Sequence, residues 1–231
     1  MSTDIAIIVG AGSGLSASLA RLFSREGMRV ALAARHPEKL ADLCTETKAR
    51  AYACDATDPG QVARFHAQVG LDLGDPTLVV YNAGSRLRGA IETLEPERVQ
   101  EVILANCFGG FLVGQAAAKQ MLKAGRGTIL FTGATAGVKG FAQSAPFAMG
   151  KFALRGLAQS MARELAPKNI HVAHVVIDGG IASTHATSAS DRVSDRFLDP
   201  DAIASTYLHL HRQPRSACTW EVEVRPWSET F

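Results

Sequence analysis

The sequence predicts an α/β protein, a single doubly wound parallel sheet with helices on both faces. Two observations carry that expectation. Short β-branched runs alternate with longer stretches of helical spacing from the start of the chain, as successive strand-helix-strand units require. The chain of 231 residues, 47% hydrophobic, suits one sizeable domain with the core a three-layer fold needs. Neither an internal repeat nor a low-complexity linker interrupts it, so residues 1–231 read as one domain.

Ile5 to Val9 reads as the first strand, followed by a helix reaching Glu26; Arg29 to Ala34 is the second, followed by a helix through Thr47. Ala51 to Cys54 and Leu78 to Tyr81 supply the third and fourth strands, separated by a helix from Pro59 to Val69. A long helix from Glu97 to Ala124 leads to a strand at Thr128 to Thr132. A helix from about Ser144 to Ala166 then leads to a strand at His171 to Ile177. Right-handed crossovers place these helices on both faces. Gly27, Gly70, Gly125 and Gly127 stand where helices are expected to end, as C-terminal caps do. Ala182 to Asp195 is rich in Ser, Thr, Asp and Arg, so 182–199 reads either as a lid or as an ordinary solvated connection. A final helix around Pro200 to Leu210 and an alternating Cys218 to Pro226 segment, expected as an edge strand, complete the chain.

The 24 basic and 22 acidic residues give a net charge of +2 without charge blocks, which argues against nucleic acid as a partner. Cys44, Cys54, Cys107 and Cys218 are scattered, without a Cys-x-x-Cys pair. They read as thiols in a reducing compartment, implying a cytoplasmic location and no metal. Asp4 precedes the first apolar run without a basic leader, unlike a secretion signal. Val102 to Ala118 is apolar but falls short of the ~20 residues of a membrane span, so it is expected to be a buried or subunit-facing helix, with no membrane partner.

Val9-Gly10-Ala11-Gly12-Ser13-Gly14-Leu15-Ser16 follows a strand and opens a helix. In that position glycines let the backbone approach a pyrophosphate at the positive helix end, although a tight strand-to-helix turn would read the same way. Arg35 ends the second strand, where an acidic residue would favour NAD; a guanidinium there suits a 2′-phosphate, so NADP(H) is expected over NAD(H). The plain alternative is that Arg35 only solvates a helix start. Asp55, followed by Ala56, ends the third strand, and Asn82, Ala83 and Gly84 end the fourth, at the carboxyl edge where open α/β sheets bind ligands. Taken singly, each is an ordinary turn former.

Together these residues resemble the classical short-chain dehydrogenase/reductase family along nearly the whole chain, implying a Rossmann-type fold. Gly10 and Gly14 match its glycine-rich turn, Ser16 replaces its last glycine, and Asn82-Ala83-Gly84 is its Asn-Ala-Gly motif intact. The resemblance makes Asp55 the adenine contact, Asn106 the structural and proton-relay asparagine, and Lys151 the lysine of Tyr-x-x-x-Lys. It places the catalytic serine and tyrosine at Ala134 and Phe147, where neither group is present. Its Pro-Gly turn beside the nicotinamide corresponds to Asp178-Gly179-Gly180-Ile181, with Ser183 near the carboxamide-binding threonine.

The implied activity is NADP-dependent hydride transfer to or from a small carbonyl or alcohol substrate, with a non-standard proton route. The alternative is a cofactor-binding pseudoenzyme serving as sensor or structural subunit. Thr135, Ser144, His185 and Lys151 are the candidate proton-handling groups, although Ser144 reads more simply as a helix N-cap, Thr135 as completing a turn and His185 as a solvated loop histidine. Leu87, Phe141 and Phe147 suggest an apolar pocket floor. By resemblance the helix around Asn106 to Ala118 and the one bearing Lys151, Leu154, Leu157 and Met161 would form a homodimer or homotetramer interface, although an ordinary buried core explains the same residues.

Overall fold

The computed structural model describes residues 4–182 and 196–228. The strands are β1 (Ile5–Val9), β2 (Arg29–Ala34), β3 (Arg50–Ala53), β4 (Leu78–Tyr81), β5 (Gly127–Thr132), β6 (Ile170–Ile177) and β7 (Glu221–Val224). They form one parallel sheet in the order β3-β2-β1-β4-β5-β6-β7. The helices between them are α1 (Leu15–Arg25), α2 (Ala41–Thr47), α3 (Pro59–Asp72), α4 (Pro96–Ile103), α5 (Gly109–Ala124), α6 (Ala145–Leu165) and α7 (Pro200–His211). The doubly wound α/β architecture is thus the one the strand-helix alternation requires.

Alternation along β1 explains the layering. Ala6 and Ile8 join Phe23 of α1 and Tyr207 of α7 in the core on one face, while Ile5, Ile7 and Val9 join Phe65 of α3, Val113 of α5 and Leu154 of α6 on the other. Strand order reverses between β1 and β4, whose last residues Val9 and Tyr81 are register partners. The turns leaving these two strands therefore start side by side, at the switch point where such sheets hold ligands.

Several local expectations change. Gly27 (φ 83°) and Gly125 (φ 71°) follow α1 and α5 in the left-handed conformation a helix end favours. Gly70, however, lies inside α3: the Asp72 carboxylate accepts from Tyr52 and Gln68 at 2.9 Å each, fastening one further turn. Gly127 pairs with Ile170 and belongs to β5. The long helix runs as expected, a 29-residue rod from Pro96 to Ala124, and by length and composition alone it would reach across a bilayer. Its apolarity has a local cause, because Val113, Ala117 and Met121 are fully buried against the sheet. A π-helical turn, Leu104–Phe108, separates α4 from α5, and the Tyr81 hydroxyl donates to its Ala105 carbonyl at 2.5 Å.

Candidate functional site

A cleft of about 720 Å³ opens at the carboxyl edge beside the switch point. Gly10, Arg35, Asp55, Ala56, Asn82, Ala83 and Gly84 all line it. Gly10 is the tightest point: its φ is +86°, and a Cβ there would lie 2.4 Å from the Ala83 backbone nitrogen. Only glycine lets the two turns meet. Ser16 fastens them, donating to the Gly10 carbonyl at 3.0 Å and accepting from Asn82 Nδ2 at 2.8 Å. The serine in place of a third glycine is thus a bridge as well as a small residue.

Gly12, Ser13, Gly14 and Leu15 lead into α1, and a Cβ at Gly12 or Gly14 would meet open space. Gly14 holds the N-cap position, with neither a capping side chain nor an acidic residue in the first turn. The positive end of the helix therefore faces outward without a counter-charge, a geometry suited to a phosphate. Arg35 is exposed at the rim and forms no ion pair with any described residue. Asp55 is fixed by Thr57, whose backbone N–H and hydroxyl donate to one carboxylate oxygen at 2.9 and 2.8 Å.

Asn106 sits in the π-helical turn with no exposed surface. Its amide nitrogen donates to the carbonyls of Ser85 and Val102 at 2.7 and 2.8 Å, whereas its buried Oδ1 has no hydrogen-bond partner among the described residues. That oxygen points at Gly84, where a Cβ would come within 2.8 Å of it and 3.7 Å of Lys151 Nζ. Asn106, Gly84 and Lys151 therefore converge. Lys151 donates to the Thr132 carbonyl at 2.7 Å, and burial, with Arg86 as a second cause, lowers its pKa to about 8.

Ala134, Ala136 and Phe147 pack together as a small buried apolar cluster next to this point. The Arg86 guanidinium lies 4.5 Å from the centre of the Phe147 ring, and Lys151 Nζ lies 5.8 Å from the same centre. Arg86 belongs to no motif. Its only sequence signal is a basic residue just after the Asn-Ala-Gly turn, beside a strand end already expected to face ligand. Leu87 shares the cleft wall, whereas Phe141 is half exposed beneath Lys139 and does not line the cleft.

Asp178 explains why no proline is needed after β6. It is buried, accepts from the Thr135 hydroxyl at 2.5 Å and lies 3.6 Å from Arg225, so it laces together the ends of β5, β6 and β7. The Thr135 hydroxyl, one of the candidate proton donors, is engaged in this brace. Ser144 occupies the N-cap position of α6, but its side chain makes no capping hydrogen bond. Gly179 and Ile181 leave β6 at this end, outside the walls of the cleft, and Ile181 bridges to Leu198. Ser183, His185 and most of 182–199 lie outside the described residues.

With this geometry in view, residues 4–193 match the family model described as short chain dehydrogenase. An uncharacterized oxidoreductase of Staphylococcus aureus is 27% identical, with 98% of both chains aligned. A crystal structure of a short-chain dehydrogenase from Rhodopseudomonas palustris is 36% identical, covering 97% of this chain and 99% of its own, with a TM-score of 0.82. A metagenomic short-chain oxidoreductase in complex with NADP is 29% identical, covering 98% and 99%, with a TM-score of 0.84.

Proposed function

This chain belongs to the short-chain dehydrogenase family, and from that premise we propose that it is an NADP-dependent oxidoreductase acting on a carbonyl or alcohol without the family's usual serine and tyrosine. The observation that carries the reading is the convergence of Asn106, Gly84 and Lys151 beside a cleft holding the glycine-rich and Asn-Ala-Gly turns. The unpartnered Asn106 oxygen and the uncapped end of α1 fit a bound dinucleotide. That cofactor, when bound, supplies or accepts the hydride.

The chain's own residues hold and orient it. The α1 end at Gly12, Ser13, Gly14 and Leu15 takes the pyrophosphate, Arg35 the 2′-phosphate, Asp55 and Ala56 the adenosine, and Asn82 to Gly84 the ribose edge. Gly179, Ile181 and Ser183 are assigned the nicotinamide end by the family resemblance. Lys151 binds the nicotinamide ribose and, with its pKa lowered to about 8, holds a proton it can release to a developing alkoxide near neutral pH. The NADP bound to the metagenomic relative supports this choice of cofactor.

Ala134 and Phe147 offer neither proton nor oxyanion contact, which favours a second reading: a nucleotide-binding protein whose chemistry is lost. Loss of a positioned acid or base ordinarily costs ~10²–10⁴ in rate. Calorimetry with NADPH, followed by turnover of ketones, aldehydes and quinones, separates the two. Turnover abolished by Lys151→Ala supports the enzyme. Tight binding without turnover, with activity gained only by Ala134→Ser and Phe147→Tyr together, supports the second reading, and failure to bind either nicotinamide nucleotide overturns both.

Exposed Phe108, Phe111, Met149 and Phe152 around α5 and α6 support a homodimer or tetramer. The four free cysteines support a reducing, cytoplasmic setting.

A further inference from the structure

Within the reading just proposed, one group of the cleft has no task. Arg86 is exposed in the cleft wall and forms no ion pair with any described residue, whereas its neighbour Arg98 is held by Glu101 at 2.7 Å. Its guanidinium packs 4.5 Å from the Phe147 ring centre. The same ring has Lys151 Nζ 5.8 Å from its centre. Two cations thus flank one phenyl group, next to an apolar patch of Ala134 and Ala136. Among the described residues that line the cleft the carboxylates are Glu101, paired with Arg98, and Asp55, which accepts from Thr57. Among the described residues, neither Arg86 nor Lys151 therefore has a carboxylate partner at this end of the cleft.

A guanidinium in contact with an aromatic face uses that ring as a platform and keeps its N–H edge for a planar acceptor. A carboxylate fits that edge with two parallel hydrogen bonds. We infer that Arg86 grips a carboxylate adjacent to the reacting carbon, so that the substrate class is an α-oxo acid or the corresponding α-hydroxy acid. Phe147 then has a task its missing hydroxyl does not abolish, that of a platform for the recognising arginine. A carboxylate held by Arg86 would bring its neighbouring carbonyl close to the ring that Lys151 also approaches. Arg86 also weakens the proton affinity of Lys151, consistent with the two charges facing one space. This inference rests on the proposed cofactor-dependent reaction for its meaning, but carboxylate binding is measurable without it.

The test uses an isosteric pair, phenylglyoxylate and acetyl benzoyl, in which a methyl ketone replaces the carboxylate. Each is titrated calorimetrically into the full chain, alone and with the oxidised nucleotide, so that binding is read without turnover. Phenylglyoxylate is expected to bind about tenfold or more tightly than acetyl benzoyl. In Arg86→Met that preference collapses towards unity, and Arg86→Lys, which keeps the charge but loses the fork, retains part of it. An absent preference in the unmodified protein, or a preference that survives Arg86→Met, overturns the inference. Equal weakening of NADPH and phenylglyoxylate in Arg86→Met also overturns it, assigning Arg86 to the nucleotide. Failure of the unmodified protein to bind nucleotide, with the carboxylate preference intact, removes the proposed function and leaves the carboxylate site standing.

Discussion

Asn82 donates to Ser16 Oγ at 2.8 Å while Ser16 donates to the Gly10 carbonyl at 3.0 Å, so one hydroxyl joins the turns leaving β1 and β4. Ser16→Ala removes that junction and leaves the half-buried Asn82 amide without its acceptor. A loss of about 1–2 kcal/mol in urea unfolding is expected, together with a several-fold weaker NADPH affinity by calorimetry. Unchanged values in both measurements would show that the turns hold without it.

Arg35 stands at the rim without an ion pair among the described residues. Arg35→Ala should raise the dissociation constant for NADPH by about tenfold or more, the scale of a charge-assisted bond, and leave that for NADH nearly unaltered. Parallel titrations of the two nucleotides check this, and an equal loss for both would remove the 2′-phosphate from Arg35.

Lys151 gives a pH signature. Its pKa falls from 10.5 unfolded to about 8 folded, so between those values the unfolded chain binds more protons. Stability should rise across that window as pH increases, by an amount on the order of 3 kcal/mol for a shift of this size. Cys54 acts oppositely: burial raises its pKa from 9.0 to about 11, so its contribution is lost as pH climbs through that range. Urea midpoints of the unmodified chain and of Lys151→Met, at several values from pH 7.5 to 10.5, separate the two. The variant should lose the rising component and keep the falling one.

Asp178 takes the Thr135 hydroxyl at 2.5 Å and lies 3.6 Å from Arg225. Asp178→Ala leaves the hydroxyl without its short acceptor, and a loss of about 1–3 kcal/mol is expected. Asp178→Asn, which retains an acceptor oxygen, should lose less. Chemical denaturation of the two variants gives the comparison.

Much of this site was legible because it is local. The glycine turn, Asp55 and the Asn-Ala-Gly turn each follow a strand whose apolar run is plain in the sequence, and strand order alone brings them to one cleft. Asn106 and Lys151 were recognisable only through the family resemblance. What escaped depends on contacts between distant segments. Gly70 looks like a helix end until Asp72 is seen tied to Tyr52, and the π-helical turn rests on the Tyr81 hydroxyl reaching Ala105. The role of Asp178 appears only when Thr135 and Arg225 are placed beside it. Arg86 became interpretable only once the phenyl ring beneath it was known.

The pairing of Ile181 with Leu198 has a practical consequence. The Ala182 N–H donates to the Leu198 carbonyl at 2.9 Å, and the Leu198 N–H donates to that of Gly180 at 2.8 Å. The chain that leaves at 182 therefore comes back to the place it left. Since closing a loop between fixed ends costs only slightly more as it lengthens, the intervening stretch is a natural cassette. Segments of other lengths could be joined between these two fixed ends without redesigning the sheet beneath.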